Sequence, residues 1–222
     1  KLQDDSMSVR NLIKQSNVTL LCTTDDPIDD LKWHKVIKED ETFDVQVLPA
    51  WRPDKATNVE KPDFVEYLGK LSQVSGVEIK TFADLKEAIA KRMEYFDSMG
   101  CSISDHGLDY VMYAPASDEE VERIFADRLA GKEITKEDAA KYKTAFMLFL
   151  AGKYEEMNWV MQLHYGCKRD NNKAMYAKLG PDTGFDCISN FAPGEQLADF
   201  LNAVNEAKKP AKNDFIQLKS GR

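Results

Sequence analysis

The sequence predicts an α/β protein built from parallel βα units. Three observations carry this. A short apolar run, a polar tip and an amphipathic helix follow one another at least four times along the chain. The run VTLLC is continuous rather than alternating, as in a strand covered on both faces, and Trp159, Val160, Met161 and Leu163 form a second apolar run that reads as a buried strand. The helical stretches keep apolar residues at three- and four-residue spacing and open with capping chemistry.

Taken in order, Ser8 to Gln15 reads as a helix with Val9, Leu12 and Ile13 on one face, ended by Asn17. Val18 to Cys22 is the first strand. Its tip predicts Asp26 as N-cap and Pro27 as the first residue of a helix over Ile28 to Lys38. Asp44 to Leu48 is the second strand, with a polar tip from Pro49 to Lys55. Helices follow over Pro62 to Ser75 and Thr81 to Ser98. In the latter, Phe82, Leu85, Ala88, Ile89 and Met93 share a face, and Thr81 with Asp84 resembles a capping box with Asp in the Glu position. Cys101 to Ser104 is a short strand delivering Asp105, His106 and Asp109. Ser117 opens a long helical region, divided at Gly131, restarted at Thr135 and apolar enough to be buried in its second half. The stretch Met157 to Asn172 then gives an apolar strand ending on His164, followed by Lys168 and Arg169. Leu179 to Gly184 is turn chemistry, and Gly194 to Ala207 is a last amphipathic helix.

With 222 residues and 43% hydrophobic content, the chain can bury one sizeable core. A net charge of −8 and a pI near 5.0 argue against a general nucleic-acid or anionic-membrane binder, because phosphates would be repelled. Local arginines can still hold a small anionic substrate. No apolar run approaches the roughly 20 residues that span a bilayer, and the polar, charge-mixed start does not read as a signal peptide. Cys22, Cys101, Cys167 and Cys187 lack CxxC or zinc-ribbon spacing. They read as reduced thiols of a cytoplasmic protein, with Cys22 and Cys101 as small buried hydrophobes.

In parallel βα folds, functional groups gather on the loops after the strands. The tips hold Asp25/Asp26, Arg52, Asp105/His106 and His164/Arg169. Asp25 and Asp26 read first as helix-start residues. Arg52, between Trp51 and Pro53, suits bidentate recognition of a carboxylate; pairing with Asp54 fits the residues equally well. Asp105–His106 reads as an acid/base pair or as a caged polar turn. His164 reads as a catalytic imidazole or as a core-strand residue that happens to lie at its end. His34, beside Trp33, reads as a surface or packing residue. With three histidines and no HxH or HExxH, no zinc site assembles from local motifs. GxGxxG, GxxxxGK[ST] and GxSxG are absent as well.

The stretches NVTLLCTTDDPIDDLKWH, VLPAWRPDKA, SDHGLD, MQLHYG and LGPDTGFDCIS resemble the uronate (glucuronate) isomerase family of the amidohydrolase superfamily, from about Asn11 to about Ala207. The resemblance implies that residues 1–207 form a partial (β/α)8 TIM barrel of the metal-dependent hydrolase type, with a helical insertion. It implies a cytoplasmic aldose–ketose isomerase acting on hexuronates: D-glucuronate to D-fructuronate and D-galacturonate to D-tagaturonate, through an enediol. It implies no organic cofactor. By motif it places Arg52 and Arg169 on the substrate's carboxylate and oxygens. Asp105, His106 and His164 become catalytic groups that polarise or hydrogen-bond the C1 and C2 oxygens.

The resemblance further implies a divalent metal, zinc, held in the family by a His-x-His on the first strand and an aspartate on the last. Neither is found in this chain, so no metal ligand is assigned in it. The expectation is a central piece of the barrel with little or no activity alone, or, alternatively, a non-catalytic sugar-acid binding or assembly fragment. Unclosed sheet edges leave room for a homo-oligomer. Residues 208–222 diverge from the family, which continues with an apolar strand of the type LPKTILYSLNP where this chain reads KKPAKNDFIQLKSGR. Synonymous codons exist for which a reading one base later restores that strand. The tail from about Lys209 is therefore expected to be out of frame.

Overall fold

The computed structural model describes residues 4–191, 193–207 and, as backbone, 218–220. The first half runs α1 (Val9–Gln15), β1 (Leu20–Cys22), α2 (Lys32–Lys38), β2 (Gln46–Leu48), α3 (Asp54–Thr57), α4 (Phe64–Ser75) and α5 (Phe82–Ser98). The second half runs β3 (Ile103–Leu108), α6 (Asp118–Leu129), α7 (Lys136–Glu156), β4 (Val160–Tyr165), β5 (Cys167–Lys168), α8 (Lys173–Leu179), β6 (Cys187–Ile188), α9 (Gly194–Ala207) and β7 (Leu218–Ser220).

Apart from one small pair, the strands lie parallel, joined by the helical crossovers that parallel neighbours require. β1 pairs with β2, β3 with β4, and β4 with β7. Trp51 joins the first pair to the rest, through parallel bridges to Asp25 on one side and Ser104 on the other. The result is an open parallel α/β sheet, unclosed among the described residues, with α3–α5 crossing from β2 to β3 and the α6–α7 hairpin crossing from β3 to β4. A small antiparallel pair, β5–β6, stands apart.

Three helices, α5, α6 and α7, start on the caps the sequence proposed. Thr81 and Asp84 form a reciprocal capping box on α5, and Ser117 with Glu120 does the same on α6. Thr135 caps α7 through the Asp138 amide. Between the helices lies an aromatic cluster in which Phe64, Phe82, Phe125, Tyr142 and Phe146 meet edge-on, tilted or stacked at 5.5–6.4 Å. The buried Tyr142 hydroxyl donates to Ala56 O at 2.8 Å and ties α7 to α3.

Four expectations are corrected. No helix starts at Asp26–Pro27; α2 begins at Lys32, after Leu31 in a left-handed conformation with φ of 51°. Arg92 explains this, because its guanidinium takes the carbonyls of Pro27 (2.7 Å) and Asp29 (2.8 Å) that a helix would have used. β1 is not covered on both faces: Leu20 and Cys22 are exposed, because β2 is its sole strand partner among the described residues. Cys22 is therefore not a buried thiol, whereas Cys101 is. Asp105 and His106 sit inside β3 rather than beyond its tip, whereas His164 lies at the end of its strand as expected, one residue before β4 closes at Tyr165. The frame change expected from about Lys209 falls largely on residues 208–217, outside the described residues; β7 pairs Leu218 with Leu163.

Truncating Phe146, fully buried in the aromatic cluster, is expected to cost about 3–5 kcal/mol. Urea denaturation of Phe146→Ala against the parent chain measures this, and a shift under 1 kcal/mol would place the core elsewhere.

Candidate functional site

Trp51 is wholly buried against Phe96 and Trp159, with ring centroids at 5.0 and 6.2 Å. Its amide donates to Ile103 O at 3.0 Å, and its carbonyl accepts from Asp105 N at 2.9 Å. The next residue, Arg52, has its amide on Asp25 O at 2.9 Å. Backbone hydrogen bonds on both sides thus fix where the Arg52 side chain leaves the sheet.

Alternation along β3 sorts its residues into two sets. Ser104, His106 and Leu108 are buried, while Ile103, Asp105 and Gly107 are half-buried. The β3–β4 register puts Asp105 opposite Gln162 and Gly107 opposite His164, so these four share one face. Asp105 is the hub of that face. Its carboxylate lies 3.3 Å from Arg52 Nη1 and 3.8 Å from His164 Nδ1, and it accepts from Gln162 Nε2 at 3.5 Å.

Arg52 is shared between two carboxylates. Its Nε donates to Asp54 Oδ2 at 2.7 Å. Burial pulls the guanidinium pKa down, but the Asp54 bond and the charges of Asp54 and Asp105 leave it raised. Burial pushes the Asp54 carboxyl up, against the opposing pull of Arg52. Arg169, after β5, is likewise paired twice, with Asp182 and at 3.0 Å with Asp186.

Arg52, Asp54, Gly107, Tyr110, His164 and Arg169 line a cavity of about 700 Å³, whose far wall is the first half of α7 with Lys136 and Lys143. Lys143 is held by Glu60 at 2.7 Å. Of the five residues the sequence nominated, the structure brings Arg52, His164 and Arg169 to this cavity and sets Asp105 behind Arg52. His106 does not join them. Its position in β3 turns the ring toward the helices, where it is fully buried and its Nε2 lies 3.0 Å from the Tyr154 hydroxyl. Burial, with the Arg52 charge adding to it, holds its pKa down at about 3, so it is a neutral core imidazole at pH 7.

Sequence reasoning passed over Asp54 as a site residue, and missed Gly107 and Gln162. The WRPD string contained the signal for Asp54, since it pairs with Arg52 two residues earlier. Gln162 was visible only through register. Among the described residues, no group of three or more His, Cys, Asp or Glu side chains could hold a metal. The residues on this face therefore do not fit a complete zinc site. No helix among them is long and apolar enough to cross a membrane.

The family model described as Glucuronate isomerase matches residues 1–219. A uronate isomerase of Lachnospira eligens is 62% identical over 98% of this chain, and one of Endomicrobium trichonymphae is 59% identical over 93%. The uronate isomerase crystal structure of Thermotoga maritima superposes with a TM-score of 0.82 at 34% identity, covering 87% of this chain and 43% of that one. The glucuronate isomerase of Caulobacter crescentus gives 0.80 at 27% identity, covering 90% and 42%. The chain spans 47% and 44% of the two curated relatives, under half the length of each.

The buried imidazole makes stability depend on pH. His106 is depressed in the folded chain and ordinary, near 6.5, when unfolded. Its contribution is complete above pH 6.5 and is lost as the pH falls toward 3, because only the unfolded state then takes the proton. The expected slope is about 1.4 kcal/mol per pH unit. Denaturation midpoints of the parent and His106→Asn between pH 7 and 4 should converge as the pH drops, and parallel curves would contradict a neutral buried ring.

Proposed function

The chain belongs to the glucuronate isomerase family, and from that premise we propose that it takes part in the aldose–ketose isomerisation of hexuronates. The substrates are D-glucuronate and D-galacturonate, and the setting is cytoplasmic. The observation that supports this most is the Arg52–Asp105–His164 cluster, in which Asp105 on β3 backs Arg52 and His164 at the wall of one cavity.

In this reading Arg52 and Arg169 face the sugar acid's carboxylate and oxygens, as donors in a fixed fork suit. His164 lies at the cavity wall, half exposed, where an imidazole can hydrogen-bond the C1 or C2 oxygen or pass a proton between them. Asp105 orients both partners and balances the charge they gain when the enediol's oxygen turns anionic. His106 acts from behind, packed on Tyr154, and shapes β3 rather than meeting the sugar. In the family a divalent metal would supply Lewis-acid stabilisation of a sugar oxygen. The described residues offer no complete set for it, so turnover by this chain alone is proposed to be little or none. That same observation favours a second reading, a sugar-acid binding or assembly fragment without chemistry of its own.

Calorimetry with D-glucuronate and an assay for D-fructuronate test both. Binding by the parent chain is expected, weakened at least about tenfold in Arg52→Met, with product formed far below the rate of a full-length relative. Product formation that Arg52→Met abolishes favours isomerisation, and binding without product favours the fragment reading. Absence of binding sinks both, and turnover matching a full-length relative sinks the proposed dependence on further groups.

A further inference from the structure

We propose that Asp54 is a positioning residue that, together with Gly107, seats the Arg52 guanidinium at the cavity wall. The proposal deepens the hexuronate reading and rests on it for the ligand, though not for the geometry.

The need for Asp54 begins in the backbone. The edge of β3 that faces Trp51 is served by Trp51 as far as Asp105, whose amide donates to Trp51 O at 2.9 Å. Two residues on, the Gly107 amide points to the same side, but the chain has already turned away at Pro53 into α3. Asp54 fills the vacated place: its two carboxylate oxygens lie 3.2 and 3.3 Å from Gly107 N. A half-buried amide that would otherwise lack a partner is thereby satisfied.

The same carboxylate takes Arg52 Nε at 2.7 Å. Asp54 is thus a two-way bracket between a strand edge and the side chain two residues before it. Its own side chain is 22% exposed, against 34% for Arg52, so the bracket lies deeper than the group it holds. Charge-assisted bonds of this kind are short and directional, unlike an exposed ion pair.

Gly107 supplies the floor. Its φ is not positive, so backbone freedom does not explain a glycine here. Space does: a Cβ on Gly107 would fall inside contact distance of Arg52 Nη2 and lie 2.9 Å from Asp54 Oδ2 and 3.4 Å from Arg52 Cζ. The guanidinium rests on the strand where a side chain would stand. With Nε on Asp54 and Nη1 3.3 Å from Asp105, the plane of the fork is held from two sides. Misplacement of a binding group by about 1 Å can cost two orders of magnitude in rate, so a device that fixes a long, rotamer-rich side chain has a functional consequence.

The test uses the full chain and two kinds of readout. The first needs no ligand: the Arg52 Nε–H resonance, assigned through Arg52→Lys, is expected to exchange with solvent at least about tenfold more slowly than exposed arginines in the parent. That protection should be lost in Asp54→Ala. The second is D-glucuronate affinity by calorimetry, expected to fall about tenfold in Asp54→Ala and similarly in Gly107→Ala, which keeps the carboxylate but removes the seat. Because both changes act through one guanidinium, the double variant should lose little more than the worse single one. Unchanged Arg52 exchange in Asp54→Ala overturns the proposal, as does additive loss of affinity in the double variant. If the parent binds no glucuronate, the hexuronate reading fails, and the exchange measurement alone decides whether Asp54 holds Arg52.

Discussion

Trp51 is the constraint on which the sheet and the site both depend. Its backbone carries the parallel bridges that join the β1–β2 side to β3, and its indole is sealed between Phe96 of α5 and Trp159 before β4. An extended residue that pairs on both sides must place its neighbours on the opposite face. Arg52 therefore leaves the sheet toward the cavity because Trp51 is held toward the helices. The aromatic core and the polar site are consequences of the same alternation, one residue apart.

The same logic separates His106 from Asp105. Both are polar and adjacent, and both lie in a β3 segment that reads as a functional tip. Pleating sends Asp105 toward Arg52, His164 and Gln162, and His106 toward Tyr154. An imidazole in that position is neutral because its charged form would be desolvated beside an arginine. Its cost to the fold is small at neutral pH, and it keeps one ring nitrogen on a hydroxyl, while Nδ1 has no partner among the described residues.

Much of this was legible in the sequence, for identifiable reasons. The capping box at Thr81, the break at Gly131 and the restart at Thr135 are local signals and became helix ends. The βα order became parallel pairing, and WRPD and MQLH supplied two of the cavity's groups. What local pattern could not supply was anything decided across strands. The Asp26–Pro27 start failed because Arg92, sixty-odd residues away, claims the carbonyls. Face assignment in β3 and the Gly107 seat depend on register with β4 and on the turn at Pro53, neither of which a short window contains.

The exposure of the site bears on what its charges can achieve. The His164 side chain is 55% exposed and that of Arg52 34%, and each arginine at the cavity is shadowed by two carboxylates. Near water, such pairs attract weakly and a substrate carboxylate competes against neighbours of its own sign. Selectivity must then come from geometry: a guanidinium held on Asp54 and Asp105 presents its remaining donors at fixed angles, whereas a mobile one would spread them over many orientations. Covering the face would change the balance, since the same donors act far more strongly once water is excluded. The seat formed by Asp54 and Gly107 is the part of the site that does not wait for such a cover. It is built from residues within one strand edge and the turn beside it.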